Sequence, residues 1–161
     1  MITKNFKNAI LGQFRNCKMD FKDENGVCIV ATSSNYYQYI FNDSFNSAKV
    51  QTGANYKYCK LGNGTTVESE DDYKLENVIT TLTPNSFSLD YSKIETDSIF
   101  DNEEMRYIYN VTNNTTENIT VSEIGLFMNM IASSPCLLIR ETFAPITILS
   151  GETKTFTIVL N

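Results

Sequence analysis

The chain has 161 residues, 42% hydrophobic and 20% charged, with a formal net charge of -6 and no histidine or tryptophan. A chain of this length buries roughly 70% of the surface its unfolded form exposes, so it needs no staples and is too hydrophobic to be disordered. The negative balance leaves no basic face for phosphates, no apolar run approaches the ~20 residues of a membrane span, and Met1 to Lys7 lack the apolar core of a signal peptide. Neither nucleic acid nor membrane is therefore an expected partner, and synthesis and folding in a cytoplasm are expected.

From Thr3 to Phe14, Phe6, Ile10 and Phe14 recur every four positions with Ala9 beside them, which predicts a short amphipathic helix with Thr3 as N-cap. Its apolar face either packs on the domain's own sheet or makes residues 1–16 an arm that docks on a neighbouring subunit. Asp23-Glu24-Asn25-Gly26 is a turn signal, and Val27 to Ala31 reads as a buried strand after it. Tyr36 to Phe41 is tyrosine-rich, with strand and loop both open. Tyr56 to Leu61 alternates and runs into the glycine turn Gly62-Asn63-Gly64. Glu68-Ser-Glu-Asp-Asp72 concentrates carboxylates ahead of Tyr73 to Ile79, a pattern that predicts a short helix over about 71–78.

Strand signals dominate the remainder. Phe87, Leu89 and Tyr91 alternate with Ser86, Ser88 and Asp90, and Met105, Tyr107, Tyr109 and Val111 repeat the pattern. Asn113 to Glu117 reads as a surface turn. Ile119 to Phe127, Leu137 to Phe143 and Thr153 to Leu160 follow, separated by Ser133-Ser134-Pro135 and Ser150-Gly151. Seven to nine strands with one or two short helices, no repeat and no linker predict one antiparallel β-sandwich domain over 1–161, jelly-roll or Ig-like.

A hydrolase needs a nucleophile with a base in reach, and without histidine the usual base is missing; zinc chemistry lacks its ligands likewise. The four cysteines, Cys17, Cys28, Cys59 and Cys136, stand far apart and are expected as buried reduced thiols. Two acidic clusters, Glu68, Glu70, Asp71 and Asp72, and Asp101, Glu103 and Glu104, read as solvated loops or helix caps ahead of a glycosidase pair or a calcium site. Gly62-Asn63-Gly64-Thr65-Thr66 has no Lys-Ser or Lys-Thr to make a phosphate loop and reads as a turn. No catalytic residue, cofactor or metal is expected. Glu123 and Arg140 each interrupt an apolar strand; a buried charge is costly unless paired, so the two strands are expected to be neighbours with carboxylate meeting guanidinium. Gly125, inside the same run, marks a bulge or a close approach of backbone.

Leu61-Gly-Asn-Gly-Thr-Thr66 with Asp72 to Ile79, followed by Ile119-Thr-Val-Ser-Glu-Ile-Gly-Leu-Phe127, Leu137-Leu-Ile-Arg-Glu-Thr-Phe143, Pro145 to Ile148 and Gly151 to Val159, resembles bacteriophage virion proteins of the tail and fibre-attachment type. The two blocks cover about three-fifths of the chain; the N-terminal sixty residues carry no such likeness. The resemblance implies a non-enzymatic structural component of a phage particle, located in the virion. Such a tail, collar or fibre-attachment protein would pack against copies of itself and other virion proteins. Alternatives are an auxiliary protein decorating the capsid and a carbohydrate-binding module that uses the tyrosines at positions 36, 37 and 39 as a stacking platform.

Overall fold

The computed structural model describes residues 1–15, 18–31, 40, 47, 56–90, 105–131 and 134–160, and only the backbone at Gln13, Phe14, Arg15 and Ile131. Among these residues are one helix, α1 (Lys4–Arg15), and eight strands: β1 (Met19–Lys22), β2 (Cys28–Ala31), β3 (Lys57–Gly62), β4 (Thr83–Asp90), β5 (Met105–Thr112), β6 (Ile119–Ile131), β7 (Ser134–Ile148) and β8 (Thr153–Leu160). Every strand pairing is antiparallel. β1 and β2 form a hairpin, and the others form two three-stranded sheets ordered β3-β6-β7 and β4-β5-β8. The fold is all-β and sandwich-like, as the strand punctuation predicts.

Residues 105–160 are one long hairpin bent across both sheets. β5 and β8 pair from Met105 opposite Leu160 to Thr112 opposite Thr153, and β6 and β7 continue from Ile119 opposite Ile148 to Ile131 opposite Ser134. At the bend, Asn113 N–H donates to the Glu152 carbonyl at 2.9 Å and Gly151 N–H to the Asn113 carbonyl at 2.7 Å. Gly151 turns there with φ of 77°, a left-handed conformation that suits glycine. Residues 114, 116 and 117 are exposed, as the expected surface turn requires, while Asn113 at its start is itself fully buried. Its amide donates to the carbonyls of Glu117 at 2.8 Å and Ile148 at 3.0 Å, and its oxygen accepts from Thr115 N–H and hydroxyl. Asn113→Ala would strand the buried Ile148 carbonyl and is expected to lower stability by about 1–3 kcal/mol in urea titration. A loss within error would show that the bend does not depend on this side chain.

The main core lies between the two sheets. Tyr107, Tyr109 and Val111 of β5 and Phe156 and Ile158 of β8 face Leu61, Ile124, Leu126, Met128 and Leu138 of the other sheet. Phe87 stacks on Tyr107 at 5.7 Å and meets Tyr109 edge-on at 6.2 Å. β8 keeps the alternation legible in its sequence, with Thr153, Thr155 and Thr157 exposed.

Sheet β3-β6-β7 is covered on its second face too, so β3 is buried along nearly its whole length. Even Lys57 is fully buried, with Nζ donating to the Ile40 carbonyl at 2.9 Å. Residues 1–3 extend this sheet at β7: Ile2 bridges Ile139, Thr3 N–H donates to the Leu138 carbonyl at 3.0 Å, and Met1 O accepts from Arg140 N–H at 3.0 Å. The Thr3 carbonyl accepts the first helical bond from Lys7. Its hydroxyl donates to the carbonyls of Leu137 and Leu138 and so does not cap the helix. Phe6 and Ala9 enter the main core and Ile10 packs against it. The helix face expected for docking is thus used by the chain's own core, because β7 offers it an apolar seat; the Phe14 side chain lies outside the described residues.

Three further expectations are corrected. The strand at Val27 to Ala31 is not buried: Cys28 and Val30 are exposed in a two-stranded hairpin, and only Ala31 is covered. Its turn runs from Asp23 to Val27, with Asp23 Oδ1 accepting from the N–H groups of Asn25 and Val27 and Gly26 at φ of 80°. Of the cysteines, Cys59 and Cys136 are buried and Cys28 is exposed. Burial pushes the Cys136 thiol up to about 12 and the Cys59 thiol well above its ordinary value, which keeps both protonated. Finally, residues 71–78 form turns and bends instead of a helix, for a reason given by the site below. Cys17, the tyrosines at positions 36, 37 and 39, and the acidic positions 101, 103 and 104 lie outside the described residues.

Candidate functional site

Antiparallel register sets three rows of side chains across the outer face of β3-β6-β7. Tyr58, Phe127 and Leu137 form the first, Lys60, Gly125 and Arg140 the second, and Gly62, Glu123 and Thr142 the third. At the irregularity between Val121 and Glu123 the extra residues lie on β7, where Phe143 to Pro145 stand opposite the single Ser122, and the Ser122 hydroxyl donates to the Gly64 carbonyl at 2.8 Å. Over these rows lies the segment from Asn63 to Val78. Its base is fastened to the β3 edge by Asn63 N–H on the Asn77 carbonyl at 3.1 Å and Ile79 N–H on the Leu61 carbonyl at 2.9 Å.

Glu123 is fully buried at the centre. Its Oε1 accepts from the N–H groups of Gly64 at 3.1 Å and Asn77 at 3.0 Å, and its Oε2 from Glu76 N–H at 3.2 Å and Arg140 Nε at 3.0 Å. The guanidinium goes on to Asp72 Oδ2 at 2.9 Å and the Thr66 hydroxyl at 3.2 Å. Burial works against the Arg140 charge, but Asp72 and Glu123 outweigh it and raise its pKa. The pair expected from sequence is thus present, as the centre of a larger cluster. Sequence reasoning missed Asp72 and the three backbone donors. Those amides also explain the missing helix: residues 76 and 77 give their N–H groups to Glu123 in place of carbonyls four residues back.

Around the centre each acidic residue of the segment meets a different donor. Glu76 Oε2 accepts from Thr65 N–H at 2.9 Å, Thr66 N–H at 3.1 Å and the Thr66 hydroxyl at 2.9 Å. Glu68 takes the N–H and hydroxyl of Thr142 at 2.5 and 2.8 Å, Asp71 takes Lys4 at 2.5 Å, and Glu70 takes Lys7. The carboxylates therefore diverge, and among the described residues no group of three or more His, Cys, Asp or Glu could hold a metal ion. The amides of the Gly62–Thr66 turn are occupied by Glu123 and Glu76, so they do not form an anion cradle. Glu123 has four donors and no exposure, which fits a fastening role and not that of a base. All three candidate glycines sit at close approaches: a Cβ on Gly62 would meet Asn77 O at 2.6 Å, on Gly64 the Glu76 Cβ at 2.5 Å, and on Gly125 Leu75 and Leu137 at 2.8 Å.

Beside the tip of the segment a groove of about 330 Å³ runs between α1, β1 and residues 70–73. Lys22 Nζ lies 4.2 Å above the Tyr73 ring there. Its lining mixes Lys4 and Lys22 with Asp20, Glu70, Asp71 and Asp72, of which Glu70, Asp71 and Asp72 are already paired with Lys7, Lys4 and Arg140. No described helix is long and apolar enough to cross a membrane. The chain matches no known protein-family model, no curated protein and no solved structure.

The cluster makes stability acid-sensitive. Lys7 holds Glu70, and Lys4 holds Asp71, below the ordinary carboxylate range. The Thr66 and Thr65 groups do the same for Glu76; at Glu68 burial opposes the charge, but the Thr142 bonds outweigh it. A depressed pKa gives stability that is present above the unfolded value and lost as pH falls through the folded one. Burial raises the Glu141 carboxyl, whose contribution is complete below its ordinary value and fades as pH rises. With four groups against one, Tm is expected to hold from about pH 8 to 5.5 and then fall, and Glu76→Gln to flatten that fall. A Tm that climbs between pH 6 and 4 would contradict the assignment.

Proposed function

We propose that this protein is a non-enzymatic structural component of a bacteriophage particle, a tail, collar or fibre-attachment protein that assembles through protein-protein contacts. The observation that carries the reading is the convergence of the two sequence blocks that resemble such proteins. Gly62, Gly64, Thr66, Asp72, Leu75 and Asn77 of the first block meet Glu123, Gly125, Phe127, Leu137 and Arg140 of the second around one buried carboxylate, that of Glu123. Two stretches far apart in sequence thus behave as one packing unit, which supports reading them as a single signature of a scaffold. A saturated, solvent-excluded carboxylate supports a building block over an enzyme.

Mass spectrometry of purified parent particles, with antibody labelling under the electron microscope, tests the assignment. Label on the tail or collar is expected. Label on the capsid surface would favour a decoration protein, and absence of the chain from clean particles would end the virion reading. Self-association is expected as well, read as solution mass at micromolar concentration or as copy number within the particle.

A further inference from the structure

The segment from Asn63 to Val78 differs in its fastenings from the sandwich beneath it. Leu75 is its only buried hydrophobic side chain, seated over Gly125 against Phe127 and Leu137 in a cluster separate from the main core. Val67 is 85% exposed and Val78 is exposed as well. Everything else that holds the tip is polar: Glu68 on Thr142, Glu70 on Lys7, Asp71 on Lys4, Asp72 on Arg140, Lys4 N–H on the Glu70 carbonyl, and three amides on or beside Glu123. The base is held by backbone bonds to β3.

We propose that residues 63–78 are a charge-held flap that swings about its base at the β3 edge while the sandwich stays folded, uncovering Phe127, Leu137 and the Glu123–Arg140 pair. The physical case rests on what opening leaves behind. Glu123 and Arg140 both belong to the sheet, on β6 and β7, so they remain paired when the flap lifts and gain water in place of the flap's donors and of Asp72. Opening thus strands no unpaired buried charge. The main core loses none of its buried side chains, because Leu75 lies outside it. Exposed ion pairs such as Lys4–Asp71 and Lys7–Glu70 weaken in salt.

The charges facing the flap come from every element around it. Lys4 and Lys7 lie on α1, Lys22 on β1, Lys60 on β3 where Glu24 pairs with it, Glu123 on β6, and Arg140 and Glu141 on β7. On the flap stand Glu68, Glu70, Asp71, Asp72, Lys74 and Glu76. The flap is therefore the acidic partner of a mostly basic rim, and both salt and acid loosen it.

Hydrogen exchange read by mass spectrometry on the full chain tests this. The amides of Gly64, Glu76, Asn77 and Thr142, which carboxylates hold, are expected to exchange at least about 100-fold faster than β5 and β8 amides after correction for intrinsic rates. Added salt of about 0.5 M, or a shift to about pH 4, is expected to speed the first group about tenfold further and leave the second unchanged. The double variant Glu68→Gln, Asp72→Asn should reproduce that acceleration at low salt. Flap and sheet amides exchanging at one rate and moving together in salt would overturn the proposal. If the variant fails to fold, the salt series on the natural chain decides alone.

Discussion

Arg140→Ala is expected to lower the stability of this protein by about 3–5 kcal/mol, the largest loss foreseen for any single polar substitution in it. The reason is what remains. Glu123 would keep three backbone donors but lose its opposite charge at a site with no exposure, while Asp72 would keep only Ser69 N–H and the Thr66 hydroxyl only Glu76. Removing both charges is a different experiment. Glu123→Gln placed on Arg140→Ala still accepts from the backbone without a buried charge, so the double variant should recover at least about 1 kcal/mol of the loss. Urea titration of the two singles and the double measures the coupling. An Arg140→Ala loss of less than about 1 kcal/mol would show that the ion pair does not hold the site.

Gly62→Ala should cost about 2–3 kcal/mol and Gly125→Ala about 1, although both glycines sit at close approaches. The ranking follows from what each new methyl would strike. At Gly62 it meets the Asn77 carbonyl at 2.6 Å and the Glu123 carboxylate, and the carbonyl belongs to backbone already bonded to Asn63. At Gly125 it meets the ends of Leu75, Leu137 and Phe127, which can turn aside. Equilibrium unfolding of the two variants side by side gives the answer. If Gly125→Ala proves the worse, the packing of Leu75 and not the course of the backbone sets the spacing.

Much of the sandwich can be read in the chain. β5 and β8 show their alternation because one face of each meets the core and the other meets water, so period two survives in the residue types. β3 is harder, since Lys57 and Lys60 fall on opposite faces of the strand and suggest that neither is dry, yet Lys57 is fully buried and Lys60 half-buried. The pairing of Glu123 with Arg140 is legible because two charges inside apolar strands have few alternatives. Its backbone partners are not, because an amide has no letter in the sequence, and the same amides turn an expected helix at 71–78 into a clamp. Cys28 to Ala31 misleads in the opposite direction: its apolar residues resemble those of a core strand, but Cys28 and Val30 are exposed.

The bend at Asn113 also bears on the order in which the molecule can assemble. The two arms from Met105 to Ile131 and from Ser134 to Leu160 pair antiparallel in both sheets, in one register along β5-β8 and with three register shifts along β6-β7. A zipper that starts at the short connection between β6 and β7 closes the smallest loop first and can run outward without any new long-range search. The β5-β8 pairing is then reached by propagation instead of by a chance encounter of segments about forty residues apart. β3 and β4, which join from outside that ribbon, have the long closures left to make. On a nascent chain β3-β6-β7 can close only once β7 has emerged and β4-β5-β8 only once β8 has, so each sheet waits for its most C-terminal strand.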